Sequence, residues 1–162
     1  MKLSSGWEQS VYVLLILARF PDNRSMNSIM LADRLCVSQS YLKKIIKLLV
    51  NEGLITSTTG KNGGFSLAKP LNEITFYDVF LAIEGRGKIF QSQQLLKNFL
   101  GSESDKAKPC AITNALDTIE NTLVKTLSAI TLEQVEKETQ ANYELKDLDR
   151  WIWETNHPDA YD

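Results

Sequence analysis

Three lysines, Lys43, Lys44 and Lys47, fall among Leu42, Ile45, Ile46 and Leu49, which hold the i, i+3, i+4, i+7 spacing of a buried helix face. On one helix the two sets point opposite ways, the leucines and isoleucines inward and the lysines, with Ser40, outward. That outer face has few acidic neighbours, whereas a merely solvated helix surface mixes both signs. Ser38, Gln39, Ser40 and Tyr41 sit at its N-terminal end, where unpaired backbone N–H groups favour anions. The chemistry on offer is recognition of a polyanion. A helix this wide fits the major groove of duplex DNA, with lysines meeting phosphates or guanine O6 and N7. A simpler role stands beside each residue at the N-terminal end: Ser38 or Ser40 as a helix cap, and Tyr41 as part of the core.

Other chemistries lack their parts. Cys36 and Cys110 are too far apart for a CxxC pair and His157 is the single histidine, so no metal ligand set is expected within one chain. No nucleophile and base can be assembled around His157, and no GxxxxGK[ST] phosphate loop is present, which excludes the common enzyme classes. Two reduced cysteines are expected, one of them in the core. Cys110 follows Pro109 at or near the start of a helix, a position that favours the thiolate. Two readings of it stand, an oxidant-responsive sensor and an inert residue. The apolar run Val11 to Ala18 is far short of the roughly 20 residues that cross a bilayer, and no secretory signal pattern surrounds it. A cytoplasmic protein with no membrane partner is expected.

Charge is unevenly placed. Residues 1–69 carry 9 Lys+Arg against 4 Asp+Glu, a net +5, and the remainder carries 9 against 16, a net −7. A cationic front half facing a polyanion and an acidic back half that does not is the expected arrangement.

The elements that must position these residues follow from periodicity. At 162 residues and 43% hydrophobic, the chain has room for one ordinary domain, or a small domain plus an oligomerisation element. Trp7, Val11, Leu14, Leu15 and Ala18 predict a first helix ended by Pro21, and Asn27 or Ser28 caps a short second one bearing Leu31, Ala32 and Leu35. The lysine-bearing helix comes third and stops at Gly53. Ile55 to Thr58 and Phe65 to Ala68 then predict a β-hairpin around Gly60-Lys61-Asn62-Gly63-Gly64. Lys61 and Asn62 at its tip are placed to reach a neighbouring DNA backbone or minor groove, with solvated turn filler as the plain reading of Lys61. Thr75 and Asp78 resemble a capping box for a fourth helix closed by Gly85. This order is a helix-turn-helix followed by a wing.

Behind it, residues 86–109 read as a flexible connection with a short helix near Leu95 to Leu100. Ile112, Leu116, Ile119, Leu123, Leu127 and Ile130 are then spaced four, three, four, four and three apart, close to a heptad seam. Such a stripe must be buried, either on a copy of itself with two-fold symmetry or on the chain's own first helix. Thr131 and Gln134 open another helix. The expected organisation is a DNA-binding unit 1–85, the connection 86–109, a dimerisation helix region 110–145 and a tail 146–162. The fold class is mainly α with a small β-hairpin wing, a winged helix-turn-helix plus a long C-terminal dimerisation helix.

Several strings carry a resemblance: Met1-Lys2-Leu3-Ser4, Val37-Ser38-Gln39-Ser40-Tyr41-Leu42, Asn51-Glu52-Gly53-Leu54-Ile55, Gly60 to Ala68, and Ile74-Thr75 leading to Ala82-Ile83-Glu84-Gly85. Together they resemble the Rrf-2 type of bacterial regulators, strongly over residues 1–85 and loosely over the helix Cys110 to Ile130. The resemblance implies a homodimeric winged-helix transcription regulator, often a repressor, on a palindromic operator in double-stranded DNA. Two departures bear on it. Cluster-bearing relatives carry three cysteines between the winged domain and the dimer helix, where this chain has Cys110 alone and Ser104 in place of a partner, so a cluster-free member with no cofactor is expected. Many relatives place an Arg before the wing glycine, where Thr58 and Thr59 stand here, leaving Lys61 as its substitute. Lys43 also stands where a Glu is common, so no base preference carries over. An adaptor that binds only proteins remains the alternative, as does a sensor taking a small-molecule or protein effector near 85–109 or near Trp151, Trp153 and Tyr161.

Overall fold

Helix α1 (Ser5–Ala18) is surrounded on almost every side, and the other elements are built around it. Its expected stripe of Trp7, Val11, Leu14, Leu15 and Ala18 widens to include buried Val13, Ile16 and Leu17, because α1 meets elements from both halves of the chain. Ser10, buried among them, donates its hydroxyl to the Gly6 carbonyl at 2.7 Å, so it carries no unpaired polar atom into the core. The computed structural model describes residues 3–21, 24–60, 63–89, 91–93, 95–101 and 110–157.

Two short helices complete the front unit. Asn27 caps α2 (Ser28–Arg34) by accepting the Met30 N–H at 2.9 Å, and Leu31 and Ala32 fill its buried side. The chain turns through Cys36, held at φ 52°, and enters α3 (Gln39–Asn51), whose Leu42, Ile45, Ile46 and Leu49 are buried. Gly6 lets α1 and α3 come close, since a Cβ there would lie 2.4 Å from Ile45 Cδ1.

The hairpin pairs β1 (Ile55–Thr58) with β2 (Gly64–Leu67), Ile55 opposite Leu67 and Thr58 opposite Gly64. Its other edge is covered: Met26 and Phe65 exchange N–H···O bonds of 2.9 and 2.8 Å, tying the wing root to the segment before α2. A Cβ on Gly64 would lie 2.7 Å from the Met26 carbonyl carbon and oxygen, so only glycine permits this approach.

After a 3-10 turn at Leu71–Glu73 comes α4 (Phe76–Glu84), opened by the expected Thr75/Asp78 capping box and closed by Gly85 at φ 88°. The exposed α5 (Leu96–Leu100) occupies the connection, followed by α6 (Ala111–Ala129), α7 (Leu132–Asn142) and α8 (Lys146–Asn156). A second capping box, Thr131/Gln134, starts α7 and lies against the first. Phe76 N–H donates to the Ile130 carbonyl and Leu132 N–H to the Ile74 carbonyl, each at 2.9 Å.

Within the segment 146–162, α8 buries Ile152 in the common core and sets Trp151 edge-on to Phe20 at 6.4 Å. Three outcomes differ from the sequence reading. The division into cationic and acidic halves is bridged, because Arg19 donates to Asp149 at 2.5 Å and to Glu136 at 3.3 Å, Arg34 to Asp147 at 3.0 Å, and Arg24 to the Asn156 carbonyl at 3.2 Å. The stripe on α6 meets α4 rather than α1. Neither cysteine is a core residue: Cys36 is exposed at its turn and Cys110 half-buried at the head of α6. No described helix is long and apolar enough to cross a membrane.

Replacing Gly64 by alanine should cost about 1–3 kcal/mol by prising β2 from Met26, whereas alanine at Gly87, which has open space around it, should change stability by less than about 0.5 kcal/mol. Urea unfolding of both variants measures the contrast, and equal midpoints would show that the Met26 edge is not a constraint.

Candidate nucleic-acid interface

Burying one side of α3 against α1 and α4 decides which way its other side faces. Lys43, Lys44 and Lys47 are all exposed and share that outer side. Among the described residues no carboxylate lies within ion-pair distance of any of the three. The arginines of the front unit differ, since Arg19 and Arg34 are matched by acids of α7 and α8 and Arg34 also lies 5.3 Å over the Trp151 ring. Uncompensated positive charge is thus gathered on α3.

The start of α3 departs from a simple cap. Ser38 stands at the N-cap position, yet its hydroxyl makes no cap bond and instead shares a 3.0 Å hydrogen bond with Ser40 Oγ. The first-turn N–H groups therefore keep their donor capacity at the positive end of the helix dipole. Gln39 is exposed and its amide donates to Asp33 Oδ1 of α2 at 3.4 Å, which ties the two helices together across the turn. Tyr41 is half-buried with its hydroxyl 3.5 Å from Ser5 Oγ, so it lies against the start of α1 and follows the core reading.

The wing stands beside this helix because Leu54, three residues past α3, donates its N–H to the Leu49 carbonyl and accepts from Ala68 N–H, both at 3.0 Å. Thr56 and Ser66 share a 2.9 Å hydroxyl bond across the strands. Gly63 N–H closes the tip onto the Gly60 carbonyl at 3.0 Å, and Thr58, Thr59 and Gly60 are exposed. Lys61 and Asn62 lie outside the described residues.

The α6 stripe is not brought to one environment. Leu127 is buried, and Leu123 turns with it toward α4. Leu116 and Ile130 are half-buried, whereas Ile112 and Ile119 remain 68% and 63% exposed. Two ion pairs that sequence reading missed flank this region: Arg86 with Glu52, the residue that ends α3, and Lys88 with Asp117 of α6 at 3.3 Å. The Gly85-Arg86-Gly87-Lys88 string holds their only signal, and nothing in it names the partners.

At the N-cap of α6, the Thr113 backbone N–H, and then the Thr113 hydroxyl, hold the Cys110 thiol below its ordinary pKa. A lowered thiol pKa means thiolate at lower pH, so in a Cys36→Ser chain iodoacetamide should label Cys110 with a midpoint below that of the same thiol in the urea-unfolded chain. A folded midpoint equal to or above the unfolded one contradicts the assigned hydrogen bonds.

Comparison with known proteins places this geometry. A family model described as "Rrf2: Iron-dependent Transcriptional regulator" matches residues 3–138. The chain is 75% identical over 152 residues to YffB of Lactococcus lactis, a candidate HTH-type transcriptional regulator, spanning 94% of this chain and 97% of that one. It is 40% identical over 152 residues to YwgB of Bacillus subtilis, similarly described, spanning 94% and 95%. Among solved structures, CymR, the global cysteine regulator of B. subtilis, aligns with a TM-score of 0.62 at 20% identity over 86% of this chain and 98% of that one. IscR of T. potens aligns with a TM-score of 0.65 at 22% identity over 89% and 93%. The winged helix-turn-helix is therefore that of a DNA-binding transcriptional regulator rather than an enzyme, and the chain belongs to the Rrf2 family.

Proposed function

We propose that this chain is a sequence-specific regulator that acts as a homodimer on a palindromic operator in double-stranded DNA, most simply as a cytoplasmic repressor. The observation that carries the reading is the exposed, acid-free face of Lys43, Lys44 and Lys47 on a helix whose other side is locked into the core. In this reading α3 lies in the major groove, the lysines meet phosphates or guanine edges, and Ser38, Gln39 and Ser40 approach at the helix N-terminus. The wing tip, with Lys61 and Asn62, reaches the flanking backbone. Tyr41 supports α3 from behind.

Residues 1–85 form the DNA-binding unit in this proposal, 86–109 the connection and 110–145 the dimerisation region. Ile112 and Ile119, left exposed on a helix of 19 residues, are what a second copy would cover. Leu123 and Leu127 serve the chain's own α4.

The family description names iron. A thiolate-held cluster needs several cysteines close together, and this sequence has two, one in the turn before α3 and one at the head of α6. No group of three His, Cys, Asp or Glu side chains able to hold a metal occurs among the described residues. The donor set does not fit a cluster, and we propose a regulator that works without one, leaving its signal to another effector.

Selection of bound fragments from a random DNA library should return a palindromic sequence. Against it the Lys43→Ala, Lys44→Ala, Lys47→Ala triple variant should lose at least about tenfold in affinity, with its salt dependence flattened by about 0.9 log unit per lost phosphate contact. A variant that binds as the parent does removes α3 from the interface, and a library with no enriched sequence favours a protein-binding adaptor. For the dimer, an Ile112→Glu, Ile119→Glu variant should sediment as a monomer with unchanged helix content, while a persisting dimer would place the interface elsewhere.

A further inference from the structure

Between α4 and α6 the structure holds a cleft of about 270 Å³. Through Phe80, Gly87, Lys88, Ile89 and Leu123 it is continuous with a second of about 240 Å³ toward Leu3. Its wall mixes polar and apolar surface in nearly equal parts and carries two aromatic rings, Tyr77 and Phe80, stacked at 6.4 Å with an interplanar angle of 12°. Ring faces of this kind attract cations through their quadrupole.

Three charged residues line the cleft, and two of them are matched elsewhere. Arg86 pairs with Glu52 and Lys88 with Asp117. Glu120, half-buried on the α6 wall one turn beyond Asp117, has no ion-pair partner among the described residues. The unmatched charge beside the two rings is therefore negative. Each lobe falls just under the roughly 300–1,000 Å³ of ligand sites generally and the two together fall within it, which suits a small molecule.

We propose that this cleft binds a small amphipathic cation, an apolar or aromatic body carrying one ammonium group, with the body against Phe80 and Val124 and the ammonium on Glu120. A cation seated there competes with Lys88 for the carboxylates of α6. It bears on the segment 86–88, whose other end holds Glu52 at the close of α3. The site is thus suited to an effector. That consequence rests on the DNA-binding reading above, whereas binding itself does not.

The test is calorimetric titration of the full chain with 2-phenylethylammonium and, as its charge-reversed counterpart, 3-phenylpropionate, with no DNA present. The cation should bind saturably and at least tenfold more tightly than the anion. Glu120→Gln, which keeps the shape of a half-buried side chain without an ion-pair partner among the described residues, should keep the parent's melting temperature and lose the preference, and Val124→Trp should fill the cleft and abolish binding. Absence of saturable binding, equal binding of the two probes, or a preference that survives Glu120→Gln overturns the proposal. None of these results touches the lysine face, and a failure of the lysine variant would leave this site standing.

Discussion

The burial of Leu42, Ile45, Ile46 and Leu49, on a helix packed against α1, α2 and α4, is the interaction on which the rest of the molecule depends. Each of these side chains is worth about 1.5–3 kcal/mol when fully removed from water, so rotating α3 about its axis would forfeit several such terms at once. Orientation is thereby settled by apolar chemistry, and the lysines inherit their outward direction without needing partners of their own. Gly6 sharpens the arrangement, because the missing side chain lets Ile45 seat directly on the α1 backbone. One set of contacts thus gives α3 both a rigid back and an unencumbered front.

Electrostatics refine what packing begins. The acids of α7 and α8 close over Arg19 and Arg34, so the guanidinium groups of the front unit are turned to internal use while the α3 ammonium groups are not. Most of these pairs are partly exposed and individually add little stability. Their effect is on the shape of the field: positive potential is withdrawn from the flank that carries α8 and left where the helix faces outward.

Much of the front unit was legible from local pattern. A 3.6-residue apolar period is visible within α3 alone, and the two capping boxes are spelled by four residues each. What escaped was partner choice over long separations. Met26 against Phe65, Arg34 against Asp147 and Trp151, and Arg86 against Glu52 leave no periodic trace, since either member would look the same beside any other neighbour. The α6 stripe shows the same limit from the other side. Its spacing announces a surface to be covered, but only the fold shows that α4 takes Leu127 and leaves Ile112 and Ile119 in water. At the N-cap position of α3 local chemistry also misled, because the Ser38 hydroxyl finds Ser40 instead of the backbone.

The paired capping boxes have a mechanical meaning. Reciprocal bonds from Phe76 to Ile130 and from Leu132 to Ile74 clamp the head of α4 to the joint between α6 and α7. The long α6 arm leaves from that point and packs along α4, which in turn rests directly on α3, so the clamp joins the arm to the lysine-bearing helix through one shared neighbour.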